Sequence, residues 1–417
     1  MSDAADGARA QAVLDDVHAR ERIAKDLDTS FLVEAGAGSG KTTSLVGRMV
    51  ALVARGTKVE QIAAVTFTRK AANELRERFE VALETCVRDS ERGSEAHARH
   101  ERALHDLDRA FLGTIHSFCG RLLREHPLEL ALDPNFSEVT DEDWDLLQEG
   151  FWQDWIERAR ARGFDEVKSL AAVGIAVTDL YDAFKTLVTY PDVDFPLADV
   201  AAPDVSHCRS VLIALMDKAR ELMPADEPAE GWDNLMKLIR ELDYKKRVDD
   251  WNDRTAFLGV AEGISVSRCG VTQKRWSDTK EGKAAVKAVS DDFTALVQGP
   301  LADALAQWRE HRYPIVMRVL QRASRDFAEH RHATGQLGFN DLLMLTAQLL
   351  REHDEARAAL GARWQHLLVD EFQDTDPIQA EVCLLLSSNP AQGNNWREVQ
   401  PRPGSLFVVG DPKQSIY

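Results

Sequence analysis

The chain's 417 residues carry 51 Lys and Arg against 69 Asp and Glu, a net charge of −18, with 44% hydrophobic residues. That length exceeds what one compact core needs, so two domains or one domain with a large insertion are expected, and the acidic balance restricts any polyanion-binding track to a local surface. The start MSDAADGARAQ lacks the basic and apolar regions of a signal peptide, no stretch reaches bilayer-spanning length, and Cys86, Cys119, Cys208, Cys269 and Cys383 show no metal or disulfide spacing; free thiols, no membrane partner and a cytoplasmic address are predicted.

The first element is FLVEAGAGSGKTT, Phe31 to Thr43, which reads as a short strand, a glycine-rich turn and a helix start. Glycines at 36, 38 and 40 let the backbone curl so that amides from Ala37, Gly38, Ser39, Gly40, Lys41 and Thr42, with Thr43 behind them, converge on a phosphate at a helix N-terminus. Lys41 adds a point charge for the terminal phosphates, and the Thr42 hydroxyl suits a Mg²⁺ ligand. The strict P-loop pattern begins with Gly, and Ala35 stands there instead.

Two more apolar runs follow, IAAVTFT and AFLGTIHS, and the segments after the first two runs have helical apolar spacing: Leu45, Met49 and Leu52, then Leu75, Phe79 and Leu83. Strand–helix alternation predicts a parallel sheet with function gathered at the carboxyl ends of its strands. His97, His100 and His105 lie in a stretch dense in Arg and Glu and read as a solvated helix face. Glu125 to Glu157 contains eleven acids and no Lys or Arg, so a nucleic-acid track must avoid it.

From about Pro127 to Gln336 the character changes to long helical patterns holding most of the tryptophans, which read as packed core rather than a ligand platform. The expected organisation is therefore an α/β P-loop core formed by residues 1–126 and 337–417, interrupted by a mainly helical inserted domain over 127–336. The fourth strand run, in HLLVDEFQDTD, supplies the second half of a nucleotide site. Asp370 is placed to hold Mg²⁺, and Glu371 to orient and deprotonate an attacking water. Nucleoside triphosphate hydrolysis is the chemistry this predicts. SSNPAQGNNWREVQPRPGS reads as an exposed, mobile loop before the fifth strand run, LFVVGDPKQSIY.

The ordered blocks VEAGAGSGKTT, AAVTFTRKAANELRER, GTIHSFCGRLLREH, GFNDLL, LLVDEFQDTD and VVGDPKQSIY together resemble the superfamily 1 helicases of the UvrD, Rep and PcrA type, and more closely the AddA and RecB branch. The resemblance implies a RecA-like core, ATP and Mg²⁺ as cofactors, and 3′ to 5′ movement on single-stranded DNA in repair or recombination. It leaves room for a partner in the form of a second helicase or nuclease subunit.

Residue by residue, the resemblance implies that Thr66, Phe67, Thr68, Thr114, His116, Phe118 and Tyr417 belong to the DNA track, the hydroxyls suiting phosphates and the aromatics suiting bases. His116 reads equally well as a core histidine, and a buried Phe67 is the competing reading there. Gln373 and Gln414 would couple nucleotide state to DNA grip, with Gln414 at the γ-phosphate. Arg20 stands where the family carries a glutamine that reads adenine, and an arginine cannot copy an amide's donor–acceptor pair. The second RecA-like domain, with its phosphate-stabilising arginines, is not in these residues, so weak turnover by this chain alone is expected. The rival expectation is a non-hydrolysing, nucleotide-binding DNA adaptor.

Overall fold

The computed structural model describes residues 17–36, 38–191 and 193–415. The chain divides into two compact units, Met1–Asp141 with His330–Tyr417, and Glu142–Glu329.

The first unit is built on a parallel sheet of β1 (Phe31–Glu34), β2 (Ile62–Thr66), β3 (Phe111–Thr114), β6 (His366–Val369) and β7 (Leu406–Gly410), in the order β1-β7-β6-β2-β3. These are the five apolar runs read from the sequence. A further parallel pair, β4 (Ser137–Glu138) with β5 (Gln336–Leu337), has no apolar signature and went unpredicted. In the main sheet Val33 lies opposite Val409, and Val369 opposite both Val65 and Val408. All five carboxyl ends therefore open on one edge.

Side chains along a strand alternate between faces, and here each face meets its own layer of helices. Ala63, Val65, Leu367, Val369, Leu406 and Val408 pack into a cluster with Phe118, Leu342 and Trp364. Their neighbours Ile62, Ala64, Leu368, Phe407 and Val409 turn to the opposite cluster with Leu45, Met49, Phe79 and Leu83. β1 is an edge strand, and its Leu32 side chain is 64% exposed.

The helix Lys41–Arg55 starts after Gly40 and stops at Gly56, both in the left-handed region that L side chains disfavour. Its buried Leu45, Met49 and Leu52 hold the predicted spacing. The helix Arg69–Asp89 begins at Thr68, whose Oγ1 accepts the Ala71 amide at 3.1 Å.

One sequence expectation fails in this unit and another gains detail. His100 is not solvated: it is 6% exposed with both ring nitrogens unpaired among the described residues, because helix Glu95–His105 turns it toward the core beside Ala103. The polar stretch before β7 is mostly exposed, as read from the sequence, and is anchored at a few points. Buried Arg357 donates to the carbonyls of Leu385 and Gly393, Arg402 donates to those of Gly361, Leu386 and Ser388, and Val399 is buried. Backbone carbonyls in an irregular segment need such partners once removed from water.

The second unit is helical, with two apolar clusters. One gathers Leu212, Met216, Ile239, Phe257, Phe293 and Trp308. The other gathers Phe151, Trp152, Trp155, Phe184, Leu320 and Phe327. The core reading of the tryptophans holds: Trp152 and Trp155 stack with centroids 5.6 Å apart, and the indole N–H groups of Trp155 and Trp276 are satisfied by Asp326 at 2.7 Å and Asp233 at 2.6 Å.

Candidate functional site

The carboxyl edge of the sheet collects the sequence-predicted residues into two adjoining regions. The first lies where β1 leads into helix Lys41–Arg55. Ala35 N–H donates to Gly410 O at 3.0 Å, carrying the β1–β7 pairing one step past the strand. The chain then turns through Gly38 and Gly40, at φ of 73° and 88°. A Cβ at Gly38 would meet no atom within 4 Å, so backbone conformation, not space, requires glycine there.

Ser39 Oγ closes the turn by donating to Gly36 O at 2.6 Å. Arg20 Nη2 donates to Ser39 O at 2.8 Å, bracing the turn from outside. The first helical turn has no side-chain cap and no acidic residue, so its amides remain available to an anion. Thr42 is half-buried, and its hydroxyl has no protein partner among the described residues; Thr43 beside it is exposed. Ala37 lies outside the described residues.

The acidic half arises at the end of β6. Asp370 N–H donates to Val65 O at 2.9 Å, which holds the backbone in the sheet, and Asp370 Oδ1 accepts the Glu371 amide at 3.0 Å. Glu371 then adopts φ 54°, a conformation costly for a residue with a Cβ and typical of sites where geometry serves chemistry. The corner aims its carboxylate back across the edge. Glu371 Oε2 accepts from Lys41 Nζ at 3.1 Å and from Gln373 Nε2 at 2.7 Å.

Burial, and secondarily the adjacent Glu371 charge, pushes the Asp370 carboxyl above its usual range, while the Glu371 amide and Lys41 act in the opposite direction. A half-buried carboxylate short of compensating positive charge is a natural acceptor for a cation.

Gln373 ties the two strand ends together. Its Oε1 accepts the Asp411 amide at 2.9 Å, its Nε2 also donates to Asp374 Oδ2 at 3.0 Å, and its carbonyl accepts from Ser415 Oγ at 3.4 Å. A Cβ on Gly410 would sit 2.9 Å from Gln373 Oε1, which explains the glycine that ends β7. Gln414 is exposed in the short turn Pro412–Gln414 and donates its amide to Asp411 O at 2.9 Å.

The second region is an open groove of ≈ 400 Å³ beside β2 and β3, lined by Phe67, Arg69, Thr114, His116, Ser117 and Phe339 among others. It unites three of the residues assigned to the DNA track. Phe67 is 50% exposed, which decides against its buried reading. Thr114 caps helix Ile115–Glu125 by accepting the Ser117 amide at 3.3 Å. The His116 ring meets Phe339 edge-on at 5.2 Å, and burial holds its pKa below the usual histidine range against the raising influence of Asp376 and Glu138. A neutral imidazole at physiological pH suits stacking or hydrogen bonding, not pairing with phosphate as a cation.

Two assignments need correction. Phe118 is 0% exposed, wedged between Phe111 and Trp364 with centroids 4.8 and 5.4 Å away, so it supports the groove from beneath and cannot touch a nucleic-acid strand. Thr66 is 2% exposed, and its hydroxyl donates to Thr68 O at 2.9 Å, shaping the turn after β2 in place of meeting a phosphate. Thr68 spends its own hydroxyl on the Ala71 amide. Tyr417 lies outside the described residues.

Sequence reading missed Arg69 and Phe339 in the groove. Phe339, 40% exposed, belongs to the quoted block GFNDLL, where nothing local separates an outward aromatic from a core one. Among the described residues no cluster of three or more His, Cys, Asp or Glu could hold a metal, and no helix is long and apolar enough to cross a membrane.

Known proteins are similar to this chain over most of its length. The chain is 26% identical over 449 residues to an ATP-dependent helicase/nuclease subunit of Ligilactobacillus salivarius, an alignment covering 96% of this chain and 34% of that protein. The proteins of the same name from Geobacillus thermodenitrificans and Pediococcus pentosaceus are 28% identical over 441 residues and 24% over 435, each alignment covering 93% of this chain and 34% of the relative. The chain thus spans about a third of the length of these relatives. The family described as the UvrD/REP helicase N-terminal domain matches residues 16–417, from ahead of the glycine turn through β7. The chain belongs to that family.

Proposed function

We propose that this chain is the ATP-binding part of a DNA helicase or translocase, a RecA-like core carrying a helical inserted domain, which couples ATP hydrolysis to 3′ to 5′ movement along single-stranded DNA in repair or recombination. The observation that carries the reading is the meeting of Lys41 Nζ with Glu371 Oε2 at 3.1 Å, beside half-buried Asp370 and a left-handed glycine turn. A loop of amides, an ammonium and two neighbouring carboxylates on one sheet edge is what binding and hydrolysing a triphosphate demand.

In this reading Gly38, Ser39, Gly40 and Lys41 cradle the phosphates, together with Ala37 and Thr43. The Thr42 hydroxyl and Asp370 would hold Mg²⁺, and their chemistry fits: one is an oxygen without a protein partner among the described residues and the other a carboxylate that partial burial leaves in need of positive charge. Bound Mg²⁺ neutralises charge on the triphosphate oxygens. Glu371 takes the proton of the attacking water, and Gln373, bonded to Glu371 and to the Asp411 amide, passes the state of that carboxylate to the turn holding Gln414. Phe67, Thr114, His116 and Phe339 form the single-strand groove. Thr68, its hydroxyl committed to the helix cap, positions Phe67.

The relatives are named as one subunit of a helicase/nuclease, which favours a partner protein, and cytoplasmic location follows from work on DNA. The test is Mg·ATP binding and ATP turnover by the purified chain with single-stranded DNA, with RNA and with no polymer. Mg·ATP binding that weakens about 10- to 100-fold in Lys41→Ala, with any turnover responding to DNA and not to RNA, is the expected result. A chain that binds no Mg·ATP, or responds to RNA alone, would overturn the reading.

A further inference from the structure

The helix that supplies Lys41 buries a second cation, Arg48, about two turns farther on. Arg48 is 1% exposed and makes no ion pair among the described residues. Its guanidinium serves backbone: Nη1 donates to Ile23 O and Asp26 O, each at 3.0 Å, and Nη2 donates to Thr29 O at 2.8 Å. The rings of Phe31 and Phe407 flank it, with centroids 5.1 and 5.0 Å from Cζ. Burial lowers its pKa to about 10, which still leaves it protonated at neutral pH.

The three carbonyls lie at the end of the helical residues 17–25 and in the turn that follows, where a helix leaves carbonyls unsatisfied and favours a cation. Arg20 sits on the same helix, and its Nη2 donates to Ser39 O in the glycine turn. One helix, Lys41–Arg55, therefore presents the phosphate-facing residues at its start and grips, from its middle, the segment that braces the turn from outside.

We infer that Arg48 is a positioning residue for the phosphate loop: by holding residues 23–29 against helix Lys41–Arg55, it sets Arg20 onto the Ser39 carbonyl. The inference rests on the nucleotide reading given above. Merely filling the core would not call for three charge-assisted bonds to one segment, since an apolar side chain could pack between the two phenylalanines at no desolvation cost.

The experiment uses the purified chain in four forms: unaltered, Arg48→Lys, Arg20→Ala and the double variant. Lysine keeps the charge and the stem, so the variant is expected to fold, but it lacks the planar fork that serves three carbonyls at once. Hydrogen exchange without ligand is expected to quicken in residues 23–29 and in 38–41 for Arg48→Lys, and in 38–41 alone for Arg20→Ala. The dissociation constant for Mg·ATP is expected to rise about tenfold in each single variant and no further in the double, as for residues acting in series.

Faster exchange at 23–29 with an undisturbed loop and unchanged affinity would overturn the assignment, as would losses that multiply in the double variant. Failure of the unaltered chain to bind Mg·ATP would instead overturn the nucleotide reading. The exchange measurement needs no nucleotide, so the two failures are distinguishable.

Discussion

Lys41 Nζ and Glu371 Oε2 stand 3.1 Å apart, so the cation meant for a phosphate and the carboxylate meant for a water neutralise each other across the sheet edge. The Lys41 side chain is 10% exposed and that of Glu371 37%, so water reaches the carboxylate side of the pair and screens it. Breaking it is a small cost for an incoming triphosphate. Lys41→Ala should weaken Mg·ATP binding about 10- to 100-fold, the scale of one charge-assisted hydrogen bond. Glu371→Gln should leave affinity within about fivefold while turnover falls about 10²- to 10⁴-fold, because only proton transfer is removed. Equilibrium titration and phosphate release measure the two separately, and equal loss of affinity in both variants would refute the roles.

Asp370 makes a prediction about stability and pH. A carboxyl whose folded pKa lies above its unfolded value subtracts stability once ionised. The cost is absent below the ordinary carboxylate range, grows as pH rises through the raised folded pKa, and is complete above it. Asp370→Asn should therefore raise Tm at neutral pH, by roughly 2–4 °C per kcal/mol recovered, and the gain should vanish in acid. A pH series of thermal melts on the two proteins checks this. A gain that persists at low pH would mean that packing, not ionisation, is the cause.

The five main strands were legible because each is a short apolar run, fully buried in β2, β6 and β7 and partly so in the outer β1 and β3, and the phosphate turn because Gly38 and Gly40 occupy conformations that other residues avoid. The β4–β5 pair was not, since two-residue strands formed by Ser137, Glu138, Gln336 and Leu337 leave no periodic trace. Phe67 and Phe118 both follow strand ends, yet one is half exposed and the other enclosed by Phe111 and Trp364, a distinction set by residues remote in the chain. The reach of Glu371 to Lys41 depends on a positive φ at a glutamate, which local pattern does not announce. Arg48 leaves no trace in the sequence pattern because its three acceptors are backbone atoms.

Gln373 and Gly410 should behave as one unit. Gln373→Ala strands the Asp411 amide and releases Glu371, whereas Gly410→Ala drives a methyl to within 2.9 Å of Gln373 Oε1 and forces the same contact apart. Each should cost about 1–3 kcal/mol of stability, and the double variant clearly less than their sum. Denaturant melts on the four proteins give the coupling, and strict additivity would show that the amide is not the shared element.

The groove separates contact from support through its two phenylalanines. Phe67→Ala removes an exposed ring from the wall of the groove, so Tm should hardly move. Its single-stranded DNA affinity should fall about tenfold or more, given that stacking on one base is worth about 1–3 kcal/mol. Phe118→Ala opens a void between Phe111 and Trp364 and should destabilise the fold by about 3–5 kcal/mol. Where that variant remains folded, its DNA affinity should stay near that of the unaltered chain, because the ring never reaches the surface. Anisotropy titrations with a labelled oligonucleotide, run well below each variant's Tm, make the comparison. A DNA defect in folded Phe118→Ala together with normal binding by Phe67→Ala would move the single-strand track away from this groove.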